Sequence, residues 1–212
     1  MPAHRPKQLI GILGTHTDVG KTYVIARWLM YLREQGLRVS ARKPVQSFDA
    51  RAGASDATHL AAATGEDEAA VCPPHRCYAR AVAPPMAADL LRRPRIALDH
   101  LVSEITWRND IDVGVVETIG GPRSPLSHDG DSIDLLSRLQ PDAVLLIADA
   151  GLGALNAVRL SLACIAPFTS LVYLNRYDDA NELHRLNRQW LRERYGVNAM
   201  VNVRELPLGV DF

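Results

Sequence analysis

Three cysteines in 212 residues, Cys72, Cys77 and Cys164, are too few for a disulfide framework. The stretch Cys72-Pro73-Pro74-His75-Arg76-Cys77 offers at most three zinc ligands in a proline-rich segment, and packing of a loop is the simpler reading. No uninterrupted apolar run approaches the roughly 20 residues that span a bilayer, and the start, Met1 to Gln8, lacks the apolar region of a secretory signal. The expectation is a cytosolic protein with no membrane partner. Charge of one sign is missing too: 24 basic residues balance 24 acidic ones, so no global field draws the chain to nucleic acid, and attraction for a phosphorylated ligand has to be local. Internal repeats and low-complexity segments are absent. What remains, at 47% hydrophobic, is enough to bury a sizeable core and is most simply one α/β domain over residues 1–212.

The stretch from Ile10 to Thr22 organises the rest. Leu9, Ile10, Ile12 and Leu13 run as a strand into Gly14, and Gly20-Lys21-Thr22 opens a helical pattern through Trp28, Leu29 and Leu32. A strand, a glycine-bounded loop and a helix N-terminus form a phosphate cradle, in which backbone N–H groups, Lys21 and the Thr22 hydroxyl (the last on Mg²⁺) meet a nucleoside triphosphate. Five residues separate Gly14 from Gly20 where the usual pattern has four, and Thr15 stands at the usual first-glycine position. The loop is therefore a deviant form.

Downstream, Gly36 stops the first helix and Leu37 to Val45 reads as a second strand that delivers Lys43 to the carboxyl end of the sheet, where ligands gather. Ser55-Asp56 starts a short helix, Ala57 to Thr64, closed by Gly65. Glu66 to Pro85 reads as a long surface loop walling a pocket. Helical patterns follow at Met86 to Arg92 and Leu98 to Arg108. Asp112 to Thr118 is a buried strand whose Glu117 carries a charge that needs a partner or a metal, which makes it a metal candidate beside Asp56. Beyond it lie a helix at Ile133 to Leu139, a strand at Ala143 to Ala150, a helix at Leu155 to Ile165, a strand at Ser170 to Asn175, a helix at Asn181 to Tyr195 and a strand at Asn198 to Val203. Arg185, Arg188, Arg192 and Arg194 read as a solvated face. Alternating strands and helices predict a parallel sheet with helices on both faces.

Five ordered blocks carry a resemblance: Gly14 to Thr22 (GTHTDVGKT), Lys43 to Ser47 (KPVQS), Ser55-Asp56, Glu117 with Gly120-Gly121 and Pro125-Leu126, and Leu152-Gly153 with Asn156. Together they resemble the ATP-dependent dethiobiotin synthetases, a deviant phosphate-loop family related to partition ATPases and cobyrinate diamide synthases. The resemblance implies a P-loop NTPase-like fold and an enzyme that closes a cyclic urea: 7,8-diaminopelargonate captures CO₂ as a carbamate, ATP phosphorylates it, and the second amine expels phosphate. It implies that Lys43 and Lys21 are catalytic, that Thr17, Ser47, Gly120 and Asn156 contact the substrate, and that Thr22, Asp56 and Glu117 hold Mg²⁺. Nucleotide contacts fall, by the same resemblance, on Gly14, Thr15, Thr17, Asp18, Val19, Gly20, Lys21, Thr22, Tyr23, Asp56, Glu117 and Asn175. A homodimer, with Asn156 reaching the neighbour's substrate, is implied as well.

Several positions depart from the family pattern. Phe48 stands where Gly is usual after KPVxS, and Thr118-Ile119 replaces a Gly-Ala pair, so bulk beside the diamine is expected to narrow the pocket. Ala157 follows Asn156 in place of His, and Arg176 follows Asn175. Phe212 stands shortly after Leu206-Pro207-Leu208-Gly209, so the base pocket is expected to be open on one side, with ATP preferred over CTP or GTP by less than about tenfold. Two other readings compete: a sibling ligase acting on another carbamate or carboxylate, and a nucleotide-switched partition ATPase. The second usually carries an extra lysine early in the loop, where this chain has Thr15-His16-Thr17.

Overall fold

A computed structural model describes residues 5–49, 51 and 53–207. At its centre β1 (Gln8–Gly14) is buried at every position, flanked in parallel by β5 (Val113–Glu117) and β6 (Ala143–Asp149). With β2 (Val39–Arg42), β7 (Ser170–Asn175) and β8 (Ala199–Met200), the sheet has the order β2-β5-β1-β6-β7-β8, and every pairing is parallel. The registers Ile12↔Glu117 and Gly14↔Ile147 bring the phosphate loop, the Glu117 carboxylate and the end of β6 to one edge. That edge is the crevice at the carboxyl ends of the strands.

Side chains alternate between two buried faces, as a pleated strand requires. Ile10, Ile12, Val115 and Leu145 pack under α1 (Lys21–Glu34) and α2 (Asp56–Thr64) through Val24, Trp28, Leu29 and Leu60. On the opposite face Leu13, Val144, Leu146 and Val172 meet α6 (Ser132–Leu139), α7 (Ala154–Cys164) and α8 (Glu182–Tyr195) through Leu136, Val158 and Leu191. Leu9 and Val116 are covered by α4 (Pro84–Leu90) and α5 (Leu98–Glu104). Each such fully buried side chain contributes about 1.5–3 kcal/mol. The expected parallel sheet with helices on both faces is therefore present.

Several boundaries differ from expectation, each for a local reason. The strand expected over Leu37 to Val45 stops at Arg42; Pro44 has no N–H for a ladder, and the chain leaves the sheet to form β3 (Gln46–Ser47), which pairs with β4 (Cys77–Tyr78). The expected loop over Glu66 to Pro85 is accordingly structured: it holds α3 (Glu68–Val71), a 3₁₀ turn at Pro74–Arg76 and β4. Pro84 and Pro85 open α4, since the first turn needs no N–H donor there. The helix expected to Arg108 ends at Glu104, because the backbone beyond it turns to meet the core: the Thr106 carbonyl accepts from Arg42 Nε at 2.6 Å. The last strand shrinks to Ala199–Met200, because Asn202 caps a 3₁₀ turn at Val203–Glu205.

The arginines of α8 are not simply solvated. Arg188 Nε donates to the Ala199 carbonyl at 3.0 Å, closing part of an edge strand that would otherwise present free acceptors, and with Arg185 and Arg192 it lines a cavity of about 380 Å³. Among the described residues no helix is long and apolar enough to cross a membrane. The expectation about Leu208 to Phe212 and the base pocket lies outside the described residues.

Candidate active site

Gly14 and Gly20 shape the phosphate loop. A side chain at Gly14 would press on the carbonyls of Gly120 and His16, each 3.0 Å from an added Cβ. Gly20 caps α1 with φ 87°, a left-handed conformation that side chains disfavour, and an added Cβ there would collide with Asn175 Nδ2. Asp18, two residues earlier, takes φ 61°. Loop and helix leave the first-turn N–H groups of α1 without a side-chain cap, free to meet an anion.

Beneath the loop four side chains from four segments converge. Lys43 Nζ lies 2.6 Å from Glu117 Oε1, 2.9 Å from Asp56 Oδ2 and 3.2 Å from the Thr118 carbonyl. Thr22 Oγ1 lies 2.9 Å from Asp56 Oδ1 and 2.8 Å from Glu117 Oε1, and its one proton serves only one of them at a time. Glu117 is fully buried, and its Oε2 has no hydrogen-bond partner among the described residues. Asp56 sits in the first turn of α2, delivered by a capping box between Ser55 and Thr58.

Burial works against the charge on Lys43, yet Glu117 and Asp56 outweigh it and hold the ammonium above its ordinary value. Burial likewise works against the charge on Asp56, and Lys43 overrides it, so the carboxyl ionises below its usual range. Lys21 is different. Burial first, and then the neighbouring Lys43 charge, lower it to about 8, and its Nζ donates to the Gly120 carbonyl at 3.2 Å.

The remaining expected site residues are placed as follows. Thr15 and Thr17 border the Gly120-Gly121 turn: an added Cβ at Gly121 would lie 2.8 Å from the Thr15 carbonyl, and one at Gly120 would lie 3.5 Å from Thr17 Oγ1. Val19 is buried and Tyr23 exposed, the latter accepting from Arg27 at 2.7 Å beside a cavity of about 140 Å³ that also touches Val201 to Val203. Ser47 donates to the Val82 carbonyl at 2.5 Å. Asn175 is nearly buried at the end of β7 and braces the loop, donating to the Val19 carbonyl at 2.9 Å. Asn156 lies in the first turn of α7, exposed, and makes no hydrogen bond to the Lys43 cluster.

The expected crowding by Thr118 and Ile119 is taken up by the core. Thr118 is fully buried and its hydroxyl donates to the Ile12 carbonyl at 2.8 Å, while Ile119 packs against the α4–α5 cluster. Phe48 remains half-buried at the end of β3. Two contributors were not anticipated from the sequence. Gln46, the variable position of KPVxS, is buried and accepts from the Ala57 N–H at 3.1 Å, tying β3 to the start of α2. Arg176 donates to the Asp18 carbonyl at 2.8 Å and to Asp149 at 2.7 Å, clamping the loop from β6 and β7. A polar residue interrupting an apolar strand end was the one available signal for Gln46.

Thr22, Asp56 and Glu117 present hard oxygen donors, one of them a buried, unpartnered carboxylate oxygen, and this donor set fits a magnesium ion completed by phosphate oxygens and water. Among the described residues no three of His, Cys, Asp and Glu gather.

The family model described as an AAA domain matches residues 8–170. The ATP-dependent dethiobiotin synthetase BioD of Haloferax mediterranei is 35% identical over 189 residues, covering 87% of this chain and 79% of that protein. Its namesake in Rhodopirellula baltica is 33% identical over 217 residues, covering 92% and 83%, and that of Clostridium botulinum strain Eklund 17B is 30% identical over 229 residues, covering 95% and 97%. Among solved structures, a putative plasmid partition protein of Borrelia burgdorferi bound to AMPPNP superposes with a TM-score of 0.56 at 13% identity, covering 98% of this chain and 92% of that one. The signal recognition particle receptor FtsY of Elizabethkingia anophelis gives a TM-score of 0.56 at 16% identity over 99% of this chain, which spans only 64% of the receptor. These two likenesses show the fold, a P-loop NTPase sheet, and nothing finer.

Proposed function

The chain belongs to the ATP-dependent dethiobiotin synthetase family, and from that premise we propose that it is an ATP-dependent ligase closing the cyclic urea of dethiobiotin from 7,8-diaminopelargonate and CO₂ in biotin biosynthesis. The observation that carries the reading is the convergence of Lys43, Thr22, Asp56 and Glu117 beneath the phosphate loop.

The chemistry asks the protein for alignment and charge stabilisation rather than covalent help. The loop N–H groups and Lys21 bind and orient the triphosphate. Thr22, Asp56 and Glu117 would hold Mg²⁺, which would supply positive charge against the phosphate oxygens. Lys43, a buried ammonium at the edge of this cluster, stabilises the negative charge of the carbamate formed on one amine. Thr17, Ser47 and Gly120 line the diamine, and the second amine attacks the phosphorylated carbamate to expel phosphate. Asn175 and Tyr23 border the base.

The chain acts as one ligase domain and pairs as a homodimer. The exposed Asn156 and Leu152, the latter 92% accessible, support a surface completed by a second copy near the substrate tail. The reaction is placed in the cytoplasm, where ATP is supplied. Incubation with ATP, Mg²⁺, bicarbonate and 7,8-diaminopelargonate is expected to yield the cyclic urea, read by mass, together with ADP and phosphate. ATP turnover without that product would move the assignment to a sibling ligase, and nucleotide binding without turnover would move it to a partition-type switch.

A further inference from the structure

Cys72 and Cys77 have no part in the chemistry above, yet their placement is specific. Cys72 ends α3, the 3₁₀ turn doubles the chain back, and Cys77 opens β4, so the two free thiols face each other with Sγ atoms 3.6 Å apart. Cys72 is buried and Cys77 half-buried, so a small reagent meets Cys77 first. Cys77 Sγ also accepts from Gln46 Nε2 at 3.2 Å. The hydrogen bond shared with Cys72 and, after the opposing effect of burial, the Gln46 donor lower the Cys77 thiol to about 6, while the same shared bond pushes Cys72 up. One sulfur is thus suited to attack and the other keeps its proton. His75, between them in sequence, pairs with Glu104 instead of joining the thiols.

The pair is wired to the carboxylate cluster. Gln46 Nε2 is shared between Cys77 Sγ and Ser55 Oγ, each at 3.2 Å, and its Oε1 holds the Ala57 N–H at 3.1 Å. Ser55 and Ala57 flank Asp56. The registers Gln46↔Cys77 and Ser47↔Tyr78 couple the same strand to the substrate segment.

We propose that Cys72 and Cys77 are an oxidative modification site, at which a hydroperoxide converts the dithiol to a disulfide and, through Gln46, loosens Asp56 and weakens Mg²⁺-nucleotide binding. Cys77 thiolate attacks the peroxide, the O–O bond breaks, and Cys77 keeps one oxygen as a sulfenic acid while the other departs, protonated, as water from hydrogen peroxide. Cys72 sulfur then attacks the Cys77 sulfur. The S–S bond forms, the S–O bond breaks, and hydroxide leaves with the Cys72 proton as a second water. Two thiols are oxidised by two electrons and one peroxide is reduced. The sulfurs close from 3.6 Å to about 2 Å, and the share of that movement taken by Cys77 strains its 3.2 Å hydrogen bond from Gln46. A dithiol reverses the bond by exchange. The Mg²⁺ consequence rests on the reading of Asp56 as a metal ligand; the disulfide does not.

The test treats the reduced full chain with stoichiometric hydrogen peroxide. Thiol titration under denaturing conditions is expected to fall from three per chain to one, with peptide mass showing Cys72 linked to Cys77, and dithiothreitol restoring both. Calorimetric titration of the same samples with Mg²⁺ at fixed ADP is expected to need roughly three- to tenfold more Mg²⁺ after oxidation, the effect of losing one hydrogen bond. Cys72→Ser and Cys72→Ala are expected to bind Mg²⁺-ADP like the parent and to show no shift on peroxide treatment. Oxidation confined to Cys164, or ending at Cys77 without a cross-link, overturns the site. A complete cross-link with unchanged Mg²⁺ dependence overturns its coupling to Asp56, and Asp56→Asn with parental Mg²⁺ dependence assigns that failure to the metal reading instead.

Discussion

Lys43→Met removes one charge and little volume from the centre of the site. The parent ammonium is 2% exposed and touches a carboxylate that is fully buried, so its loss leaves Glu117 without a counter-charge in a place water does not reach. Breaking a buried pair in this way costs about 3–5 kcal/mol. Asp56, with its side chain 45% exposed, is screened by solvent and adds little, so the low end of about 3 kcal/mol applies. For a chain of this size that lowers Tm by roughly 6–12 °C. Mg²⁺-ADP brings a new cation to the same carboxylates without involving the γ-phosphate, so its stabilising effect should be larger in the variant than in the parent, closing most of the gap. Turnover should still fall by about two to three orders of magnitude, the usual loss when an electrostatic stabiliser is deleted. Differential scanning calorimetry with and without saturating Mg²⁺-ADP, beside a product assay, checks all three. A Tm equal to the parent's, or the same decrement with and without Mg²⁺-ADP, would refute the account of Lys43 as the internal counter-ion of these carboxylates.

Glu117→Gln and Asp56→Asn should each raise the Mg²⁺ requirement, and the double variant should lose less transition-state free energy than the sum of the singles by more than about 0.5 kcal/mol; full additivity in kcat/KM would mean that the two acids do not act on one ion. Gly20→Ala should cost about 2–3 kcal/mol, from the left-handed backbone and the displaced Asn175 hydrogen bond, and in an Asn175→Ala background the penalty should shrink to the backbone part, as read by urea denaturation. Away from the site, Glu66 is opposed by burial but held by Arg42, Ser40 and the Ala41 N–H, so it ionises below its ordinary 4.5. Its contribution to stability is present above about pH 4.5 and is lost as pH falls through the lower folded-state value. Arg42→Met should therefore cost about 3–5 kcal/mol near neutral pH, and the gap to the parent should narrow on going to about pH 4; a gap independent of pH would separate Glu66 from the loss.

Local rules were enough for the sheet and the loop, because their information is local. Apolar runs such as Leu9 to Leu13 and Ala143 to Ala148 are buried on both sides and read as central strands, and Gly20-Lys21-Thr22 at a strand-to-helix junction has one common physical use. The capping residue Ser55 and the stop at Gly65 bounded α2 for the same reason. Tertiary structure alone decided which polar groups meet. Lys43 and Glu117 are 74 positions apart, and no periodicity states that they share a proton-tight contact. Pro44 turns the chain out of the sheet, and only then does Gln46 acquire both the start of α2 and Cys77 as partners. The same holds for Thr118 and Ile119, whose bulk looked intrusive beside the substrate until the sheet and the α4–α5 cluster took it up, and for Arg188, which reads as surface charge until β8 offers a carbonyl. Periodicity says which face of an element is apolar; it does not say which distant element will stand opposite a polar group, and that pairing sets the charge and hydrogen bonding on which the site depends.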